Sequence, residues 1–126
     1  MYLSLTLDRA GGAPVFIYSP AGGMNIEDVA EKDPTKIFKL RINPFAGPGL
    51  DELMAAAEHL GIPEQRDQLV WLMKSMYECF WDNDCDMIEI NPLVTTKQGK
   101  LLAADSKITI DDNASYRQKH HRDAED

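Results

Sequence analysis

The chain has 126 residues, enough for one domain with a real core. Hydrophobic residues make up 44% and charged residues 27%, the balance of an ordinary globular protein. Thirteen basic against 21 acidic residues leave a net charge of −8. That charge excludes a nucleic-acid backbone or an anionic membrane surface as the expected partner, since both need a basic face. No apolar run approaches a membrane span, and no targeting segment is visible. Cys79 and Cys85 are too few for a disulfide framework and read as free thiols in a reducing compartment.

In chain order, Tyr2 to Leu7 alternates, with Tyr2, Ser4 and Thr6 on one face and Leu3, Leu5 and Leu7 on the other. A Gly/Ala turn follows, and Val15 to Ser19 is strand-like, so the pair reads as a hairpin. Beyond the breaker Pro20-Ala21-Gly22-Gly23, Asn25 caps a short helix that stops at Asp33-Pro34. Lys36 to Ile42 alternates as a third strand. A Gly/Pro loop leads to a helix starting at Asp51 and ended by Gly61. The longest helix runs from about Glu64 to Trp81. Its apolar stripe is Leu69, Leu72, Met73, Met76 and Phe80; Val70, Tyr77 and Trp81 widen it, so both faces near its end should be covered. His59 reads as a packing or surface residue. Asp82 to Asp86 is an acidic turn, and Asp111-Asp112-Asn113 looks like the cap of a last helical turn. Residues 1–116 read as the folded unit and 117–126 as a polar tail or linker. Its adjacent His120 and His121 have no third ligand nearby and read as solvated. The expected class is α+β, a mostly antiparallel sheet with helices packed on one side.

The stretch between these elements carries chemistry. Met87 to Val94 alternates, with Ile88, Ile90 and Val94 opposed to Glu89, Asn91 and Leu93. Lys100 to Ser106 continues the alternation, with Leu102 and Ala104 expected to share the core face of Ile88, Ile90 and Val94. A three-residue loop, Lys97-Gln98-Gly99, suits a type I turn closed by a left-handed glycine. That loop sets Asn91 opposite Asp105 and Glu89 opposite Lys107, with opposed Cβ atoms about 4.5–5.5 Å apart. An amide oxygen facing a carboxylate can hold a hard cation such as Mg²⁺, which takes a few protein oxygens and fills its octahedron with water and phosphates.

Glu89-Ile90-Asn91-Pro92-Leu93-Val94, Thr96-Lys97-Gln98-Gly99, Ala104-Asp105-Ser106-Lys107 and Asp112-Asn113-Ala114-Ser115-Tyr116-Arg117-Gln118 closely resemble the β subunit of succinyl-CoA synthetase. Leu7-Asp8-Arg9, Gly22-Gly23-Met24, Ile26-Glu27-Asp28-Val29-Ala30-Glu31 and the Gly47-Pro48 loop extend the likeness upstream in the same order. The resemblance implies the C-terminal subdomain of an ATP-grasp fold, as a fragment of a longer subunit. It places a nucleotide's Mg²⁺ on Asn91 and Asp105. It sets Glu89 near a phosphorylated histidine of the partner α subunit, with a salt bridge to Lys107 as the structural alternative. The implied reaction joins succinate, coenzyme A and ATP or GTP to give succinyl-CoA, the nucleoside diphosphate and phosphate. It runs through succinyl phosphate and that phosphohistidine, so His59, His120 and His121 are not the carrier. The implied compartment is the mitochondrial matrix in a eukaryote and the cytoplasm in a bacterium. A related malate– or citrate–CoA ligase, and a non-catalytic interaction module, are the competing readings.

Overall fold

A computed structural model of the chain describes residues 1–8 and 11–110. The expected last helical turn at Asp111–Asn113, the polar tail, His120 and His121 lie outside the described residues. The elements run β1 (Tyr2–Asp8), β2 (Ala13–Ser19), α1 (Ile26–Lys32), β3 (Phe38–Arg41), α2 (Leu50–His59), α3 (Arg66–Asp82), β4 (Cys85–Ile90), β5 (Leu93–Thr95), β6 (Leu101–Ala103) and β7 (Ser106–Ile110). Five strands form one sheet in the order β3-β2-β1-β4-β7, every neighbouring pair antiparallel; β5 and β6 form a separate antiparallel ribbon. The α+β class with a mostly antiparallel sheet and helices on one side is therefore what the chain adopts.

Alternation places the core as expected. Leu3 and Leu5 on β1 stand opposite Tyr18 and Phe16 on β2 and Ile90 and Ile88 on β4. All six are buried against Leu53, Ala56 and Ala57 of α2 and Leu69, Met73, Met76 and Phe80 of α3. At about 25 cal/mol per Å² of apolar surface withdrawn from water, this one-sided layer is the main source of cohesion. The helix stripe is narrower than the sequence suggested. Leu72, Val70 and Tyr77 are only partly buried and Trp81 remains 43% exposed, because the sheet covers one side of α3 only.

The caps follow local chemistry. The Asn25 side chain accepts from the Glu27 N–H (2.8 Å) to start α1. Gly61, at φ +73°, follows the end of α2, a conformation that glycine adopts without a Cβ penalty. Two boundaries differ from the reading. Residues 34–36 form a 3₁₀ turn, not the start of a strand, because Pro34 suits a first helical position and Asp33 accepts from the Thr35 N–H (3.2 Å). Pro63–Gln65 likewise forms a 3₁₀ turn before α3 begins at Arg66. No described helix is long and apolar enough to cross a membrane.

Candidate functional site

The hairpin forms in the register deduced from its loop. Glu89 pairs with Lys107, Ile90 with Ser106, Leu93 with Ala103, Val94 with Leu102 and Thr95 with Leu101. Gly99 sits at φ +78°, its N–H donates to the Thr96 carbonyl (3.0 Å), and the Thr96 N–H donates to the Lys100 carbonyl (2.7 Å). Asn91 and Asp105 therefore oppose each other, and the Asn91 N–H donates to the Asp105 carbonyl at 3.1 Å.

The pair does not lie within a continuous strand. Both arms bend there: β4 ends at Ile90 and β5 begins at Leu93, while β6 ends at Ala103 and β7 begins at Ser106. Pro92 has no N–H to donate, so the ladder is interrupted and resumes as a second ribbon. The alternation shifts phase across the bend, which corrects the expected faces. Ile88, Ile90 and Leu93 are all buried, Val94 is half-buried, and Leu102 and Ala104 are exposed. Asn91 and Asp105 thus occupy the joint between the main sheet and the β5–β6 ribbon.

Asn91 is held there by a loop. Its Oδ1 accepts from the Gly23 N–H (2.8 Å) and its Nδ2 donates to the Met24 carbonyl (2.9 Å). Gly23 at φ +72° lets the loop turn its amide toward Asn91. One lone pair of Oδ1 is thereby used and the second is left for another partner. The Asp105 residue is exposed. An amide oxygen and a carboxylate are hard donors that suit Mg²⁺, and two of them suit an ion that keeps water and phosphate in its shell. Among the described residues no group of three or more His, Cys, Asp or Glu side chains could hold a metal ion.

Glu89 lies two residues before Asn91 on β4. Its Oε2 accepts from the Tyr2 hydroxyl at 3.0 Å, and among the described residues no ion pair joins it to its register partner Lys107. Burial raises the Tyr2 phenol above its ordinary value; the Ser4 hydroxyl opposes the rise, and the neighbouring Glu89 carboxylate adds to it. His59 is a packing residue: its Nδ1 lies 2.8 Å from the Tyr18 hydroxyl and its ring stacks on Phe38 at 4.5 Å.

Five residues that shape the site had no such role expected from the sequence. Gly23 and Met24 act through their main chains, and the sequence marked them only as part of a Gly-Gly breaker and of a family motif. Tyr2 registered merely as a strand residue. Gln68 on α3 donates to the Gly99 carbonyl (3.0 Å) and accepts from the Leu101 N–H (2.8 Å), tying the hairpin tip to the helix. Gln65 reaches the same carbonyl at 3.4 Å. A glutamine on a helix surface carries no sequence signal for such a contact.

The chain matches the ATP-grasp domain family over residues 1–95. It is 44% identical to the succinate–CoA ligase [ADP-forming] subunit beta of Acidobacterium capsulatum, over all of this chain and 32% of that protein. It is 45% identical to the subunit of the same name from Trichlorobacter lovleyi, over 99% of this chain and 33% of that one. The chain thus spans about a third of the length of these relatives. Among solved structures, an ATP citrate lyase from Methanothrix soehngenii, determined with citrate and coenzyme A, has the same fold at TM-score 0.66. It shares 17% identity, covering 94% of this chain and 25% of that one. The chain belongs to the ATP-grasp domain family, and the curated relatives it matches are β subunits of succinate–CoA ligase.

Proposed function

We propose that the chain is the part of a succinate–CoA ligase β subunit that receives a nucleotide's Mg²⁺ and faces the phosphoryl group in transit. The observation that supports this best is the opposition of Asn91 and Asp105 at the hairpin joint, in a chain 44% identical to such a subunit over its whole length. Asn91 Oδ1 and the Asp105 carboxylate would hold the cation. The bound ion would neutralise charge on the transferring phosphates of ATP or GTP. Asn91, oriented by Gly23 and Met24, presents its oxygen without a search through rotamers. Glu89, on the same strand, would accept a hydrogen bond from the imidazole that carries the phosphoryl group on the α subunit, steadying its charged form. The reaction would be reversible formation of succinyl-CoA from succinate, coenzyme A and the triphosphate. The relatives are bacterial, which favours a bacterial cytoplasmic enzyme over a mitochondrial one.

The whole reaction belongs to the longer subunit, since this chain spans 32% of its relative. A graft tests the reading. These 126 residues replace the aligned segment of the Acidobacterium capsulatum subunit, and the hybrid is produced with that enzyme's other chains. Nucleotide-dependent succinyl-CoA formation is expected, falling by about two orders of magnitude in Asn91→Ala or Asp105→Ala. Full activity in both variants would remove the cation site. A folded but inactive hybrid would favour the second reading, an interaction module. One feature supports that alternative: an apolar groove of about 420 Å³ between α3 and β6, lined by Trp71, Leu72, Leu101 and Ala103, with Trp71 70% exposed.

A further inference from the structure

We propose that Tyr2 is a positioning residue for Glu89: its hydroxyl holds Oε2 of the carboxylate, leaving Oε1 as the acceptor for the N–H of an approaching imidazole. The proposal rests on the function given above and deepens it by naming what orients the glutamate.

A glutamate carboxylate turns about a broad, two-fold terminal torsion, so the half-buried Glu89 has no preferred plane of its own. A single fixed donor chooses one. Tyr2 can be that donor because the β1–β4 register puts Ser4 directly across from Glu89 and so places Tyr2 on the diagonal, within reach of a long aromatic side chain. The contact is 3.0 Å from hydroxyl to Oε2. Tyr2 is itself fixed. It is 4% exposed, its β1 neighbours pair with β2 on one side and β4 on the other, and Ser4 beside it is 1% exposed. The donor is thus rigid while the acceptor is not, the arrangement that orients a functional group at little entropic cost. On the far side of Glu89, β7 supplies Lys107 in direct register, so the carboxylate lies between a phenol and an ammonium-bearing strand. A hydrogen bond from a neutral phenol orients the carboxylate and leaves its charge in place for an imidazolium.

Two measurements test this. In ring-labelled tyrosine NMR of the 126-residue chain, the Tyr2 signal is identified by its loss in Tyr2→Phe. Glu89→Gln is expected to lower the Tyr2 titration midpoint by about half a unit to one unit, because the anion is removed and only a weaker, neutral amide acceptor remains. In the grafted enzyme, Tyr2→Phe is expected to lower kcat about tenfold and leave KM for the nucleotide within about twofold, the signature of an interaction realised at the transition state. A thermal melt accompanies each variant. A Tyr2 midpoint indifferent to Glu89→Gln overturns the contact. A loss that appears in KM alone, or no loss, makes Tyr2 merely structural and overturns the positioning role. If the graft is inactive with Tyr2 intact, the proposed function fails by itself, and the NMR arm still decides whether the hydroxyl holds the carboxylate.

Discussion

Tyr18 shows how a buried phenol couples this fold to pH. Its ring is 4% exposed, stacked near Phe38 at 5.4 Å, and its hydroxyl meets His59 Nδ1 at 2.8 Å. Burial pushes the phenol above its ordinary value of 10.0. The folded state therefore holds the phenolic proton more tightly than the unfolded chain does. The corresponding stability is fully present below pH 10 and is lost as pH rises through the folded-state value. Tyr2 follows the same rule, so alkaline denaturation should draw on both residues. Tyr18→Phe should cost about 0.5–1.5 kcal/mol at neutral pH, because one hydrogen bond is lost and the exposed His59 regains water. Above pH 10 the variant should lose less stability than the parent. Urea unfolding at both pH values checks this, and parallel losses in the two proteins would exclude Tyr18 as a source of the effect.

At the scale of elements, the hairpin register could be read from residues alone. Gly99 fixes the loop length, and a one-residue slip would have sent Asp105 to the other face. The bend at Asn91 and Pro92 could not be placed, because a proline after an alternating run says the ladder is interrupted but not which face resumes. Leu93 and Leu102 consequently changed sides. The contact from α3 was also illegible, since Gln68 reaches the hairpin across 33 residues of sequence. That contact has a measurable role. Gln68→Ala removes one donor to Gly99 and one acceptor for Leu101, about 1–3 kcal/mol in all. Because β5 and β6 form a separate ribbon, the loss should fall locally. Amide exchange at Thr96 and Leu101 should accelerate while Leu3 and Ile88 in the main sheet keep their protection. Uniform acceleration throughout the sheet would mean that ribbon and sheet unfold together.

On the scale of the whole molecule, the net charge of −8 sets how a nucleotide can approach. Metal-free ADP is strongly anionic and meets a repulsive field, whereas Mg²⁺ is drawn toward the same field and cancels much of the diphosphate's charge. Binding to this chain should therefore require the cation. With Mg·ADP, amide shifts should concentrate at Asn91, Asp105 and the Gly23–Met24 loop, because a cation on Oδ1 disturbs the partners that Asn91 already holds. With ADP and a chelator, the same residues should stay silent. Screening sharpens the contrast: at about 0.15 M salt the Debye length is about 8 Å, so added salt should weaken the binding of Mg²⁺ alone. It should do so without making metal-free ADP a ligand at this joint, since screening weakens the repulsion but supplies no cation to bridge the phosphates. Equal shifts from metal-free ADP, or shifts confined to the Trp71 groove while the hairpin is unmoved, would show that the nucleotide is recognised elsewhere.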